Sequence, residues 1–121
     1  MDDDTLHDLF QAFGPIRIKR MFGGKGIYHQ GLIFALVIKD GLMFKADELS
    51  APRFIEADCT QWSYQGHASK DGQDNKRVTM PYWNAPSEAF DDPEVMAEWA
   101  RLAFEAALRS EKRSSAKKKK Q

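Results

Sequence analysis

Seven consecutive apolar residues, Leu32 to Ile38, constrain the fold of this chain more than any other stretch. They lie between Gln30-Gly31 and Lys39-Asp40-Gly41, and Asp-Gly is a strong signal for a tight hairpin turn. Because both parities of the run are apolar, a strand here is expected to lie centrally in a sheet or to be covered on both faces. The rest of the chain should pack around it.

The segments on either side of this run predict further hairpins. Ile16 to Phe22 alternates between apolar and charged residues, which predicts a strand. Gly23-Gly24-Lys25-Gly26 predicts a turn, because glycines inside a strand cost conformational entropy. Gly26 to His29 and Leu42 to Lys45 then predict two more short strands, so the four strands form an antiparallel meander.

Helices and two further strands surround this meander. The predicted order α-β-β-β-β-α-β-β-α leaves little room for parallel crossovers, which favours a two-layer α+β fold with a mostly antiparallel sheet. We expect a three-turn helix from Asp2 ending at Gly14-Pro15, and a short helix after Ser50 with Pro52 in its first turn. Two strands should follow, over Gln61 to Tyr64 and Arg77 to Met80, joined by a loop from Gly66 to Lys76. After an irregular segment from Pro81 to Pro86, a last helix should begin at Asp92-Pro93 and end near Arg109.

Charge divides the sequence into two parts. The segment from Glu111 to Gln121 holds six of the 18 basic residues and one of the 18 acidic ones, which leaves 12 basic and 17 acidic residues before it. We therefore predict one mildly acidic domain over residues 1–109 and a disordered basic tail over residues 110–121. A chain of 121 residues is long enough for one self-sufficient core.

Composition also indicates the compartment. A single cysteine, Cys59, cannot form an internal disulfide, which fits a reducing cytoplasm. The acidic start Met1-Asp2-Asp3-Asp4 is the opposite of the basic start of a signal peptide, and no apolar run approaches 18 residues. We expect a cytoplasmic protein that does not cross a membrane.

Five pieces of the sequence carry a family resemblance: Arg20-Met21-Phe22-Gly23-Gly24-x-Gly26, Gly31-Leu32-Ile33-Phe34-Ala35, Leu42-Met43-Phe44-Lys45-Ala46-Asp47, Met80-Pro81-Tyr82-Trp83-Asn84-Ala85-Pro86 and Trp99-Ala100. In this order they resemble the TfoX N-terminal domain family, the amino-terminal domain of the bacterial TfoX or Sxy competence regulators. The resemblance covers about residues 5–109 and implies a two-layer α+β domain in a transcription-linked context, with no catalytic residues. The regulators continue into a second helical domain, whereas this sequence ends in lysines.

Four basic residues on the first hairpin are the main binding candidates: Arg17, Lys19, Arg20 and Lys25. The glycines around Lys25 could cradle a phosphate with their backbone N–H groups, but that pattern requires a helix directly after the glycines, and here a strand follows. A tight β-turn is the favoured interpretation. Arg20 falls on the apolar parity of its strand, so it should either pair with an Asp or Glu or contact a ligand or partner.

The other residues that could carry chemistry do not form a recognisable set. His7, His29 and His67 are not at metal-ligand spacing with Cys59, and the neighbouring Asp58 should raise rather than lower the pKa of the cysteine thiol. We therefore expect no catalytic residues, no metal and no cofactor. Six aromatic residues could in principle stack on nucleic-acid bases, although strand aromatics usually pack in the core: Tyr28, Phe34, Trp62, Tyr64, Tyr82 and Trp83.

Two further surfaces are candidates for partner binding. Lys117, Lys118, Lys119 and Lys120 could hold nucleic acid without sequence preference, or only solubilise the chain. Ala97, Phe104 and Leu108 lie on an apolar arc of the last helix, outside a narrow charged stripe. That arc should contact another helix of the domain or a partner chain, which would include a second copy.

These observations favour a non-enzymatic domain that binds another protein in or near transcription. The alternative is weak, sequence-blind binding of nucleic acid by the tail together with the first hairpin. A small enzyme is the third class, and it would need a pocket with strongly perturbed titratable groups.

Overall fold

The computed structural model describes residues 1–21, 23–39, 41–65 and 77–119. The predicted loop from Gly66 to Lys76 lies outside these residues. The described elements confirm the predicted α+β class and the predicted order of helices and strands. In chain order they are α1 Asp3–Leu9, β1 Arg17–Met21, β2 Gly24–His29, β3 Leu32–Ile38, β4 Gly41–Lys45, α2 Ala51–Glu56, β5 Gln61–Gln65, β6 Arg77–Asn84, a 3₁₀ helix Ser87–Asp91, and α3 Pro93–Lys119.

The six strands form a single sheet in the order β1-β2-β3-β4-β6-β5, and each neighbouring pair is antiparallel. The apolar strand β3 lies in the interior of this sheet, as its two apolar parities predicted. The turn between β2 and β3 consists of Gln30 and Gly31, which both have positive φ, as a two-residue hairpin turn of type I′ requires.

A bulge in β3 adds apolar contact to one face of the sheet. Ile27 pairs with Ala35 and Tyr28 pairs with Ile33, so Phe34 has no direct partner on β2. Phe34 and Ala35 are both buried in the same core. The bulge therefore turns two consecutive side chains of β3 towards one layer.

The described helices cover that layer of the sheet. The core joins sheet residues such as Phe34 and Phe44 to Phe10 beside α1, Phe54 of α2 and Trp99 of α3. Edge-to-face aromatic contacts stabilise it, with ring centroids of Phe10 and Phe34 5.5 Å apart. The result is a two-layer domain with helices on one side of the sheet.

The first helix is shorter than predicted. Asp2 caps it by accepting a hydrogen bond from the Thr5 amide at 2.8 Å, but α1 ends at Leu9 rather than near Phe13. The amides of Phe13 and Gly14 both bond to the Phe10 carbonyl, so the chain turns off the helix axis there. The Phe13 ring contacts those of Phe34 on β3 and Phe104 on α3, at 5.1 and 6.3 Å between ring centroids.

The segment predicted to be irregular around Pro81 is a strand instead. β6 runs through Pro81 to Asn84, and the register of β5 shifts between Gln61 and Ser63, opposite this proline. The shift accommodates a residue that has no backbone N–H to donate. The Gln61 side-chain amide also donates to the Met80 carbonyl at 2.9 Å.

The last helix is longer than predicted. Asp92 and Pro93 begin it as expected, with the Asp92 carboxylate accepting from the Glu94 amide at 2.9 Å. The helix does not end near Arg109 but continues through Lys119. Residues 110–119 contain no glycine or proline, and lysines at a helix C-terminus interact favourably with its dipole. Lys120 and Gln121 lie outside the described residues.

Candidate functional site

The glycine-rich segment is mostly strand, which corrects the predicted four-residue turn. β2 begins at Gly24 and includes Gly26. A Cβ on Gly24 would lie 2.4 Å from the Val37 carbonyl oxygen, and one on Gly26 would lie 2.7 Å from the Met21 Cε. Backbone crowding requires glycine at position 24, whereas the atoms close to position 26 are the ends of side chains. Gly23, with φ of 76°, is in the turn, and Phe22 lies outside the described residues.

The four basic residues of the first hairpin divide between the two faces of the sheet. Arg17 pairs with Tyr28, and Lys19 with Gly26, which places both cations on the face opposite the helices. Arg20 pairs with Lys25, on the face that carries the helices. The hairpin therefore does not present one continuous basic surface.

Arg20 is exposed although it has the parity of the core. Among the described residues it forms no hydrogen bond or salt bridge. Its neighbour Lys25 donates to the Asp3 carboxylate at 2.8 Å and to the Met1 carbonyl at 2.9 Å. The Lys25 hydrogen bond lowers the pKa of Asp3, and the charge of Arg20 adds a smaller effect in the same direction.

Arg20 and Lys25 line a cleft of about 530 Å³ at the end of the sheet. The turns of the β1–β2 and β3–β4 hairpins meet there, and Lys39 supplies a third cation. Lys39 was not among the predicted site residues. Nothing in its local sequence places it near Arg20, since the two residues meet only through the pairing of β1, β2 and β3.

We call the sheet surface opposite the helices the open face. Its strand positions hold three cations and no described carboxylate. The would-be Cβ of Gly26 is within 3.1 Å of Met21, Tyr28 and Ile33, so these side chains gather over the glycine. The open face consists of Arg17, Lys19, Met21, Tyr28, Ile33, Leu36, Met43, Lys45 and Tyr82.

The polar groups of the open face lie on an apolar floor. The Lys19 ammonium is 6.0 Å from the Tyr28 ring centroid, a cation–π arrangement. Lys45 is half-buried and forms no salt bridge with the described residues, and burial lowers the pKa of its ammonium group. Burial also raises the pKa of Tyr82 to about 12, and the nearby Tyr28 adds to this shift.

The six candidate stacking aromatics do not form one platform. Phe34 is fully buried in the core, and Trp83 stacks on Phe54 at 6.1 Å between ring centroids. Tyr82 is only 7% exposed, while Lys19 lies over the ring of Tyr28. Trp62 is half-buried on β5. The side chain of Tyr64 lies outside the described part of the chain.

His29 and Cys59 have structural surroundings, whereas His7 is exposed on α1. The His29 ring packs against Phe13 and Phe104, at 4.6 and 4.8 Å between centroids, and its Nδ1 lies 2.6 Å from the Pro15 carbonyl oxygen. Burial raises the pKa of the Cys59 thiol, and the charge of Asp58 adds to this, as predicted. The described residues contain no group of His, Cys, Asp and Glu that could hold a metal ion. His67 lies outside them.

The three predicted interface residues of α3 have different environments. Ala97 is fully buried within the domain, so it cannot meet a partner. Phe104 is partly buried and its ring is 6.3 Å from that of Phe13, an internal contact. Leu108 is 45% exposed and alone keeps the predicted accessibility. The internal contacts of the first two account for much of the wide apolar arc.

Two ion pairs connect α3 to the segment after β4, one just before the basic tail and one within it. Arg109 donates to the Asp47 carboxylate at 2.6 and 2.9 Å, and Arg113 pairs with Glu48. Lys117, Lys118 and Lys119 fall within α3. Their side chains, and the whole of Lys120, lie outside the description, so binding of nucleic acid by these lysines stays a prediction.

The matching pieces of sequence lie on the strands and helices that build the open face and the core. A family model of the TfoX N-terminal domain matches residues 8–107. The chain belongs to the TfoX N-terminal domain family. This confirms the family that the sequence pieces indicated. A comparison with curated proteins gave no match.

The match to the TfoX N-terminal domain spans the whole sheet. The cations of the open face and the three cations of the cleft therefore belong to the family domain, whereas residues 108–121 lie beyond the matched segment. Within the described part of this TfoX N-terminal domain, no helix has both the length and the apolar character needed to cross a bilayer.

Proposed function

We propose that this TfoX N-terminal domain is a non-enzymatic, protein-binding domain that acts in the regulation of transcription in the bacterial cytoplasm. Membership of the family supports the regulatory context, which includes the competence role of the regulators that it resembles. Its open face docks an acidic segment of a partner protein. One observation carries this docking proposal: the open face has three cations and no carboxylate among the described residues.

The charge of the open face contrasts with that of the domain as a whole. The sequence before Glu111 has 12 basic and 17 acidic residues, yet the cations Arg17, Lys19 and Lys45 lie together on one surface. An acidic partner is attracted to this surface and repelled by the rest of the domain, so complementary charge sets the docking orientation. Charge complementarity thus selects an acidic occupant.

Lys45 supports the docking of an acidic partner because no described carboxylate pairs with its ammonium group. A half-buried ammonium group without a counter-charge is unfavourable, and the lowered pKa of Lys45 reflects this burial. A partner carboxylate next to Lys45 would stabilise the charged form. The same contact would place the apolar part of the partner on Met43 and Leu36, which lie on the same face.

The apolar composition of the open face favours protein over nucleic acid. Met21, Ile33 and Met43 are half-buried aliphatic side chains, and such surface is stabilised by apolar side chains of a partner, not by phosphates. Recognition of single strands relies on exposed aromatic rings, and Tyr82 is buried here. A segment that combines carboxylates with apolar anchors matches both properties of the face.

Binding of nucleic acid by the tail and the first hairpin is the alternative. The hairpin contributes less to it than predicted, because Arg20 and Lys25 lie on the other face from Arg17 and Lys19. This alternative therefore depends mainly on the lysine tail. If the partner is nucleic acid, the lysine tail should still bind it when the open face is altered.

A capture experiment with charge variants tests the proposal. The chain is immobilised, and proteins from cells that express it naturally are passed over the wild type, over a Lys19→Glu/Lys45→Met variant, and over Lys112→Glu. Lys112 is exposed on α3, so Lys112→Glu reverses one charge away from the open face. We expect a transcription-linked protein that binds the wild type and the control and is reduced about tenfold or more by the double variant. Equal recovery on all three, or recovery of nucleic acid alone, would contradict the proposal.

A further inference from the structure

The cleft at the end of the sheet holds more positive charge than the described residues around it neutralise. Arg20, Lys25 and Lys39 line it from β1, β2 and the β3–β4 turn. Asp3 is paired with Lys25, while Arg20 and Lys39 form no salt bridge with the described residues. Two cations therefore face the same open volume without a direct partner among the described residues.

The pairing of β1 with β2 makes this arrangement unfavourable in the absence of an anion. Arg20 and Lys25 are direct cross-strand partners. Like charges in that position destabilise an antiparallel pair, and a contact to Asp3 relieves only one of them. An anion between Arg20, Lys25 and Lys39 would convert this repulsion into charge-assisted hydrogen bonds.

The backbone around the cleft leaves room for such a ligand. A Cβ on Gly23 would have no atom of the described, non-neighbouring residues within 4 Å, so there is open space next to this residue. The volume of about 530 Å³ is within the range of sites for small molecules. An arginine fork and two lysines are groups that bind phosphate oxygens.

We infer that this cleft binds a small phosphorylated molecule through Arg20, Lys25 and Lys39. The site goes beyond the proposed function, because it does not involve Arg17, Lys19 or Lys45 and shares only Met21 with the open face. Asp3 holds Lys25 in place, while Arg20 from β1 and Lys39 from the β3–β4 turn contact the phosphate. A bound anion would link the β1–β2 and β3–β4 hairpins.

Titration with pyrophosphate, followed by ¹H–¹⁵N NMR at constant ionic strength, tests this site. We expect saturable shifts of the amides of Gly23, Gly24, Lys25 and Lys39. Arg20→Gln and Lys39→Gln should each weaken binding about tenfold, since each removes a charge-assisted contact. Lys112→Gln on α3 is the matched control and should leave the affinity unchanged, as should the open-face variant Lys19→Glu/Lys45→Met.

The stability of the free protein provides an independent check. Arg20 and Lys39 are both exposed, so Arg20→Gln and Lys39→Gln should fold normally. We expect Arg20→Gln to keep or raise the melting temperature without pyrophosphate, and to lose the increase that pyrophosphate gives the wild type. Linear, non-saturating shifts, shifts confined to the C-terminal lysines, or an unchanged affinity in both variants would overturn the inference. A lower melting temperature of free Arg20→Gln would assign Arg20 a structural role instead.

Discussion

Gly24 lies so close to Val37 that a Cβ on the glycine would be 2.4 Å from the Val37 carbonyl oxygen. This contact explains why β2 begins with a glycine, and it identifies the packing of β2 on β3 as the reason for the glycine-rich segment. A Cβ on Gly26 would also approach other atoms closely, but these atoms are the ends of side chains. The glycines shape the sheet and the floor of the open face.

Substitution of these glycines should therefore have graded effects on stability. Gly24→Ala must displace backbone and should lower the free energy of unfolding by about 3 kcal/mol, the upper part of the range for overpacked sites. Gly26→Ala displaces only flexible side-chain ends and should cost about 1 kcal/mol. Gly23→Ala has open space but positive φ, with an expected cost of about 1 kcal/mol. Urea unfolding measures all three, and a Gly24→Ala protein as stable as wild type would contradict this packing.

The Asp47–Arg109 pair predicts a specific dependence of stability on pH. The hydrogen bonds from Arg109 lower the pKa of Asp47 from 3.8 to about 2. A depressed carboxyl pKa contributes stability that is present above the unfolded value and lost as pH falls through the folded value. Asp47→Asn should therefore cost at most about 2 kcal/mol at pH 7, and the difference from wild type should shrink between pH 4 and pH 2.

Unfolding by urea across this pH range provides the measurement, and Glu48→Gln provides the control. Glu48 forms an exposed pair with Arg113, and such pairs contribute little in water. We expect no measurable change in the control. A difference between Asp47→Asn and wild type that stays constant from pH 7 to pH 2 would show that the Asp47 charge does not stabilise the fold.

The division of the basic hairpin predicts how the chain behaves towards DNA. Replacing Lys117 to Lys120 with glutamine should remove most retention on a DNA column and reduce the slope of log affinity against log salt by about 3 to 4. Arg17→Gln/Lys19→Gln should leave the elution position nearly unchanged, because these residues are separated from Arg20 and Lys25. Loss of retention in the hairpin variant alone would instead assign DNA binding to the sheet.

Local patterns in the sequence were sufficient for most of the architecture. The two apolar parities of Leu32–Ile38 predicted an interior strand, Gln30-Gly31 predicted a hairpin turn, and Asp92-Pro93 predicted the start of α3. Each of these features depends on neighbouring residues. The family was also recognisable, because its pieces occur in order along the sheet.

Features that depend on distant residues could not be predicted. The strand through Pro81 requires the register shift of β5 opposite it, and the position of Gly24 in β2 depends on Val37 of β3. The extension of α3 beyond Arg109 involves ion pairs to Asp47 and Glu48, about 60 residues earlier in the chain. Strand pairing likewise places Arg20 in the same cleft as Lys39 and on the opposite face of the sheet from Lys19.

Ser50 occupies its predicted position before α2 but does not have the predicted capping role. It stands at the N-cap of α2, as predicted, yet its side chain makes no capping bond to the helix. Its hydroxyl instead accepts from the Asp47 amide at 3.0 Å and lies 3.3 Å from the Asp47 carboxylate. Ser50 is fully buried and supports the carboxylate that holds Arg109.

Site-specific photo-crosslinking tests the central claim, docking on the open face, most directly. A photoreactive residue is placed at Met43 on the open face or, as the control, at Ile55, which is 60% exposed on α2 in the helical layer. Irradiation in cells that express the chain naturally should give one protein adduct from position 43, crosslinked through an acidic segment, and none from position 55. Lys19→Glu/Lys45→Met should abolish that adduct. An adduct formed from position 55, or one from position 43 that survives the charge variant, would contradict the claim.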